Sequence, residues 1–353
     1  MTKLHIREKA VEAIKAYKLP SEISFGVDMA PVMVVCDYQN GEWGDLELLP
    51  YGPISLAPTA KVFHYAQEIF EGLKVYKVEG HGPYLFRPEK NAARFRRSAS
   101  RMGMPELPEE MFLQAVKGMT SFCQDIVPGQ SGQSLYLRPF MFATEESLGI
   151  KPSLKYKFMV IASPSGAYFT KGTLPVFIER QAARACPGGT GRAKTGGNYA
   201  ASIQSSKKAL SLGCLQTLWL DALEKKYIEE MSGMNFFAVI GGELITPELT
   251  DTILDGITRQ SVIEIAPGLG FKVKEERINI DQLIQQIKNG TCQEAFACGT
   301  AAIVTPIECL TEEDGTRYDL PHQSGEIVSL LRKTLMDIQE GRCQGPNGWR
   351  VEI

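Results

Sequence analysis

The sequence predicts an α+β protein organised in two halves. Helix and strand patterns are intermixed along the chain, without the regular strand–helix–strand alternation of a doubly wound sheet. A turn-rich stretch at 163–175 (Ser-Pro-Ser-Gly-Ala-Tyr-Phe-Thr-Lys-Gly-Thr-Leu-Pro) separates the halves near the middle. The 353 residues suffice for two domains at roughly 100–200 residues each. These observations predict a small N-terminal domain at 1–163, a linker at 164–175 and a larger C-terminal domain at 176–353.

The elements follow in order. Residues 4–19 are amphipathic and read as a surface helix rather than a targeting peptide. Val32, Val34 and Cys36, then Leu46 and Leu48, alternate around Gly41-Glu42-Trp43-Gly44, which predicts a hairpin. Val62, Tyr65, Ala66 and Ile69 fall at helical spacing, so a helix leads into a strand at Leu73–Val78. Pro88 opens a helix with the apolar stripe Ala92, Phe95, Ala99 and Met102, and Gly103 ends it. Strands are expected at 135–142 and 158–162.

Beyond the linker, a strand at 176–179 precedes a glycine-rich segment. A helix at about 199–212 turns Ile203 and Leu210 inward and stops at Gly213. A strand follows at 215–220. Gly241-Gly242 joins the hairpin strands Asn235–Ile240 and Glu243–Thr246. Helices at 258–266 and 281–289 and a strand at 295–298 complete the pattern.

Composition narrows the class. The chain is 44% hydrophobic and 22% charged with a net charge of −3, which gives no electrostatic reason to expect nucleic acid or an anionic membrane as partner. No stretch approaches the ~20 apolar residues of a membrane span. Eight cysteines without a C-x-x-C pair read as reduced thiols, and four scattered histidines argue against zinc. The expectation is a soluble cytoplasmic protein with no metal.

The chemistry centres on Lys194, in the run Gly-Gly-Thr-Gly-Arg-Ala-Lys-Thr-Gly-Gly-Asn-Tyr at 188–199. Five glycines and no acidic residue suit a tight loop, since glycine costs ~1 kcal/mol per helical position against alanine. A partly desolvated amine there is a nucleophile toward carbonyls. The rival is a phosphate-binding G-x-x-x-x-G-K-[ST] loop, but Ala193 replaces its final glycine and Gly196-Gly197 follow where a helix should start at the lysine.

Tyr199 can offer a phenol to an anionic oxygen, or can be core. Glu229 and Glu230 precede an apolar strand, as site carboxylates or as solvated hairpin residues. Arg94, Arg97 and Arg101 share one helix face, by default a solvated one. Gly256-Ile257-Thr258 offers backbone amides at a helix start, and Gly299-Thr300-Ala301-Ala302 offers amides and a hydroxyl. Together they describe a site for a phosphate-bearing aldehyde cofactor, pyridoxal phosphate.

The run 191–199, Glu230-Met-Ser-Gly-Met-Asn235, Asp255-Gly-Ile-Thr-Arg259, Cys298-Gly-Thr-Ala301 and the stretches His64 to Gly72 and Leu135 to Pro139 resemble the branched-chain aminotransferases, which are fold-type-IV pyridoxal-phosphate enzymes. The resemblance spans about 25–321 and is greatest to the longer form of eukaryotes and some bacteria. It implies a two-domain fold like that of D-amino-acid aminotransferase, with pyridoxal 5'-phosphate between the domains, and a homodimer. It makes Lys194 the residue that bonds the cofactor's aldehyde and moves the α-proton. Tyr199 would bond the phenolic oxygen and Glu230 the pyridine nitrogen. Arg94, Ile257, Thr258 and Thr300 would hold the phosphate. Phe25, Phe70, Tyr136, Arg138 and Ala301 match the substrate side, and Tyr65 and Tyr168 the part of the site completed in the dimer. The implied substrates are L-leucine, L-isoleucine and L-valine with 2-oxoglutarate and the matching 2-oxo acids. A D-amino-acid aminotransferase or an aminodeoxychorismate lyase is the alternative within the fold type, and a nucleotide-binding protein the alternative outside it. Two departures stand out. Ala302 and Thr305 occupy the positions of a redox C-x-x-C, so no thiol switch is expected there, and Gly233 replaces a threonine of some members.

Overall fold

The computed structural model describes residues 3–166, 172–323 and 325–353. Tyr168 therefore lies outside the described residues. The chain divides into two compact units: Met1–Tyr168 with Ala193–Gly196 and Asp337–Ile353, and Phe169–Arg192 with Gly197–Met336. Among the described residues no helix is long and apolar enough to cross a membrane.

The first unit is built on a ten-stranded sheet. Its main path runs Leu4–Ile6, Leu46–Pro50, Val32–Gln39, Tyr156–Ser165, Ser134–Ala143, Leu73–Val78, His81–Phe86 and Arg350–Glu352. The pairing of Leu4–Ile6 with Leu46–Pro50 is parallel; the others on this path are antiparallel. The expected hairpin forms, with Val34 opposite Leu48. The helices Pro88–Arg101 and Glu109–Phe122 cover one face, where the rings of Phe95, Phe112 and Phe158 meet at centroid distances of 5.4 to 6.2 Å. Met33, Val35, Phe142 and Met159 form a smaller cluster with Leu49 and Ile161. Apolar packing by both sets of alternating residues explains why these strands read as near-continuous hydrophobic runs.

Two expectations for this unit are corrected. The segment 4–19 is a short strand followed by the helix Glu8–Ala16. The helix predicted through Ile69 is only Lys61–Tyr65, because Ala66 adopts a left-handed conformation (φ 46°) and ends it. Ile69 then belongs to the strand Glu68–Phe70, opposite Met141.

The second unit holds a mixed ten-stranded sheet, in which Leu174–Glu179 lies between Gln216–Leu220 and Ile303–Thr311 and is parallel to both. The hairpin Asn235–Ile240 and Glu243–Thr246 turns at Gly241 and Gly242, both at positive φ, as a tight two-residue turn requires. Phe237 stacks on Phe296 at 4.9 Å across the Asn235–Ile240 and Cys292–Gly299 pair. The helices Ile257–Ile265 and Ile280–Lys288 fall where their apolar spacing predicted, the second capped by the Asn279 side chain.

The helix expected at 199–212 is two helices, Gly196–Ala200 and Ile203–Ser211, and its orientation is reversed. Ile203 and Leu210 are exposed, while Ser205 and Ala209 are buried. The cause is the buried carboxylate of Glu179, which accepts a hydrogen bond from Ser205 Oγ at 2.7 Å and so draws the small, polar side of the helix inward.

Candidate active site

In the first unit the main chain of Lys194 is fastened on both sides. Ser98 Oγ, on the helix Pro88–Arg101, accepts its N–H at 3.0 Å, and its carbonyl accepts the Phe70 N–H at 2.9 Å. The next two residues are tied to Glu68: Thr195 Oγ1 donates to the Glu68 carbonyl, and the Gly196 N–H donates to the Glu68 carboxylate. A Cβ at Gly196 would lie 2.4 Å from that carboxylate, so a larger residue there would push the Glu68 side chain aside. Burial raises the Glu68 carboxyl above its ordinary value, against the lowering effect of these bonds and of Arg138. The lysine side chain passes over the Phe70 ring, Nζ 4.6 Å from its centroid. With both main-chain groups bonded to protein and the following helix starting at Gly196, the lysine is not the head of a phosphate loop.

Arg94, read by default as part of a solvated basic face, is buried instead. Glu71 is the reason: Arg94 Nε donates to its Oε1 at 2.7 Å and Nη2 to its Oε2 at 2.9 Å, and Asn91 Nδ2 adds a bond at 2.7 Å. Burial pushes the Glu71 carboxyl up, but Arg94, then Lys194 and Asn91, outweigh it and leave the group below its ordinary value. Glu71 was not singled out in the sequence. Its signal was an acidic residue inside the otherwise apolar run Ile69-Phe70-Glu71-Gly72-Leu73, where a charge needs a partner.

Phe25, Phe70, Tyr136 and Arg138 come together. Phe25 meets Tyr136 edge-on at 5.0 Å, and the Arg138 guanidinium lies over Phe70 at 4.8 Å and over Tyr136 at 5.4 Å. Arg138 Nη2 donates to Tyr136 Oη at 3.2 Å. A cleft of about 330 Å³ is lined by Phe25, Met29, Tyr136, Arg138 and Ile161, an apolar wall with one cation. Tyr65 is the exposed last residue of the helix Lys61–Tyr65, its hydroxyl donating to the Leu148 carbonyl, and is not brought to this cleft.

In the second unit the carboxylates Glu229 and Glu230 are buried rather than solvated. Where Leu218 pairs Met231 and Leu220 pairs Ile228, the register shifts, so the two glutamates oppose the single residue Trp219. This β-bulge brings both carboxylates to one stretch of chain. Thr252 Oγ1 donates to Glu229, and the Leu254 N–H donates to Glu230 Oε2 at 2.9 Å. Arg184 Nη2 lies 2.9 Å from Glu230 Oε1 and also donates to the Thr252 carbonyl. Arg184 too was missed in the sequence, although a lone arginine among Ala182, Ala183, Ala185 and Cys186 carries the same signal as Glu71.

Asn235 links Glu230 to the start of the helix Ile257–Ile265. Its Nδ2 donates to Glu230 and to the Leu254 carbonyl, and its Oδ1 would lie 1.9 Å from a Cβ at Gly256. Gly256 is the N-cap and supplies no side chain, which leaves the first-turn amides of buried Ile257 and Thr258 to an outside acceptor. Asn235 pairs with Cys298, so the turn holding half-buried Thr300 and Ala301 leaves the sheet at the same end. Gly299 packs against Met234, and the Tyr199 ring comes within 3.8 Å of a Cβ built on Gly233. Tyr199, Glu230, Ile257, Thr258 and Thr300 thus converge on one end of the sheet.

A match of the amino-transferase class IV family to residues 68–309 accompanies this geometry, and the chain belongs to that family. Its α+β architecture is the fold of those enzymes, fold type IV. The chain is 45% identical to branched-chain-amino-acid transaminase 1 of Bacillus subtilis, covering 100% of each. It is 46% identical to a probable branched-chain-amino-acid aminotransferase of Streptomyces coelicolor, over 92% of this chain and 91% of that one. Among solved structures it resembles the branched-chain aminotransferase of Thermoproteus uzoniensis with norvaline (TM-score 0.74, 26% identity, 91% of this chain and 99% of that one). It also resembles the branched-chain amino acid aminotransferase from Escherichia coli (TM-score 0.72, 25% identity, 90% and 99%).

Proposed function

We infer that the chain is a branched-chain amino acid aminotransferase that transfers the amino group reversibly between L-leucine, L-isoleucine or L-valine and 2-oxoglutarate with pyridoxal 5'-phosphate. The observation that carries this reading is Lys194, a lysine whose main chain is bonded on both sides and whose amine is carried over the Phe70 ring beside the cleft residues. The donor set fits the cofactor: a buried carboxylate for a ring nitrogen, a glycine-capped helix start and a hydroxyl for a phosphate, and a phenol beside Gly233.

When bound, the cofactor supplies the electron sink that makes the substrate's α-proton removable. Lys194 would hold the cofactor through its aldehyde carbon, and its Nζ would carry the α-proton as general base and acid. Glu230 would pair with the ring nitrogen and favour its protonated form. Tyr199 would donate to the ring's phenolic oxygen. Arg94, the Ile257 and Thr258 amides and Thr300 would hold the phosphate. Phe25, Phe70, Tyr136 and Ala301 receive the aliphatic side chain, and Arg138 meets a carboxylate. Tyr65 and Tyr168 complete the substrate site in a homodimer. A hydrophobic pocket separates one methylene by only ~1–3 kcal/mol, so all three branched substrates are accepted. In this reading the N-terminal domain (1–163), linker (164–175) and C-terminal cofactor-binding domain (176–353) belong to a soluble cytoplasmic enzyme that binds small molecules rather than nucleic acid or membrane.

The test is the visible spectrum of the purified protein beside Lys194→Ala, with turnover of L-leucine and D-alanine, each with 2-oxoglutarate. A lysine-dependent chromophore and turnover of L-leucine are expected. Absence of the chromophore, or turnover of D-alanine alone, overturns the reading.

A further inference from the structure

Glu229 is absorbed by none of the roles above, yet it is 7% exposed, and its Oε2 has no hydrogen-bond partner, as is true of the buried Arg184 Nε. A buried acceptor and a buried donor left unmatched in one cluster are costly unless they serve something, because each forfeits its bonds to water. We propose that Glu229 is a positioning residue that draws on the charge of Arg184 and so sets how much negative charge Glu230 presents to the cofactor's ring nitrogen. The proposal rests on the role given to Glu230 above.

The geometry supplies the connection. The bulge at Trp219 brings two consecutive carboxylates to the stretch containing Thr252 and Leu254. Thr252 joins the two sides of the cluster: its carbonyl accepts from Arg184 Nη2, and its hydroxyl donates to Glu229. When Glu229 is ionised it competes for Arg184, and Glu230 keeps more of its charge for the ring. When Glu229 is neutral, Arg184 is left to Glu230 and offsets it. The charged groups facing Glu229 are Arg184, Asp221 at the end of Gln216–Leu220 and Asp251 in the loop before Thr252. The neighbouring strand Ile278–Asn279 contributes no charged residue. Burial raises the Glu229 carboxyl, the Thr252 bond and Arg184 lower it, and the two aspartates raise it further, so that on balance it titrates above its ordinary 4.5. A path for its proton is also present. Thr252 Oγ1 is 2.7 Å from Thr250 Oγ1, and Thr250 is exposed, so a chain of two hydroxyls joins the buried carboxyl to solvent and can run in either direction.

The test compares pyridoxal 5'-phosphate binding by the apoproteins of the wild type, Glu229→Gln and Thr252→Val across pH, read by quenching of protein fluorescence. Taking the ratio of wild-type to variant affinity cancels titrations common to both proteins. At the alkaline end Glu229→Gln is expected to bind about fivefold more weakly. At the acidic end, where wild-type Glu229 holds its proton, the two are expected to converge. Thr252→Val keeps the carboxylate but removes a bond that lowers its pKa, so its affinity should depart from the wild type over a range shifted to higher pH. If Glu229→Gln does not fold, Thr252→Val carries the test alone. A ratio that does not vary with pH, whether the loss is zero or uniform, overturns the proposal. A wild type that binds no pyridoxal phosphate instead overturns the function reading, and this proposal with it.

Discussion

Glu71 receives Arg94 on both of its oxygens, at 2.7 and 2.9 Å, in a position without solvent exposure. Breaking such a pair by removing one charge leaves the other buried and uncompensated, which typically costs about 3–5 kcal/mol. Glu71→Gln is therefore expected to lower stability to urea at neutral pH by about 3 kcal/mol. The pH dependence follows from the depressed carboxyl, which burial raises but Arg94 more than offsets. Because the folded value lies below the unfolded one, the stabilisation is complete above the ordinary value of 4.5 and is lost as pH falls from there through the folded value. Urea unfolding at a series of acidic pH values should show a shallower acid limb for Glu71→Gln than for the wild type. Identical limbs would remove the electrostatic account of this pair.

Gly72 is constrained by a neighbour rather than by its backbone. A Cβ there would lie 2.0 Å from Tyr136 Oη and 2.8 Å from Cζ, so Gly72→Ala must displace the ring that Phe25 and Arg138 pack against. Overpacking of this kind costs about 1–3 kcal/mol. The KM for L-leucine is expected to rise about tenfold through the misplaced wall. Tyr136→Phe removes the nearer atom and should relieve part of the loss, so the double variant is less impaired than the sum of the single ones. Additive effects would mean that the ring is not what Gly72 accommodates.

The thiols divide by burial. Burial pushes Cys36, Cys123, Cys292 and Cys298 up to about 12, and raises Cys214 and Cys309 as well, whereas Cys186 and Cys343 are exposed. The thiolate is the reactive form. A thiol reagent should therefore label two of the eight cysteines in the native protein, and all eight once it is unfolded. Native labelling at Cys298 would contradict the closed packing around that strand.

The sequence carried the elements whose rules are local. Gly241-Gly242 marked a tight hairpin, and Pro88 with the stripe Ala92, Phe95 and Ala99 marked a helix; both formed where expected. It misled where a distant partner decides. The spacing of Arg94, Arg97 and Arg101 gives one face of a helix but says nothing of Glu71, 23 residues earlier. Ile203 and Leu210 look like an inward pair, and only Glu179 explains why Ser205 and Ala209 point inward instead. The cofactor residues were named through resemblance. Their partners Glu71 and Arg184 were not, because a charge set among apolar residues signals that a partner is needed without saying which residue it is.

The bulge in Tyr227–Met231 has a consequence that substitution alone would not reveal. Replacing Glu229 or Glu230 removes one carboxylate and leaves the other in place. Deleting one residue between Ile228 and Met231 would restore plain alternation and shorten the strand's path opposite Trp219. One acidic side chain would remain, but nothing would then guarantee that it reaches Leu254 and Arg184. At this point the chemistry is encoded in chain length as much as in residue identity, so related chains are better compared here by counting residues between Leu220 and Asn235 than by matching letters.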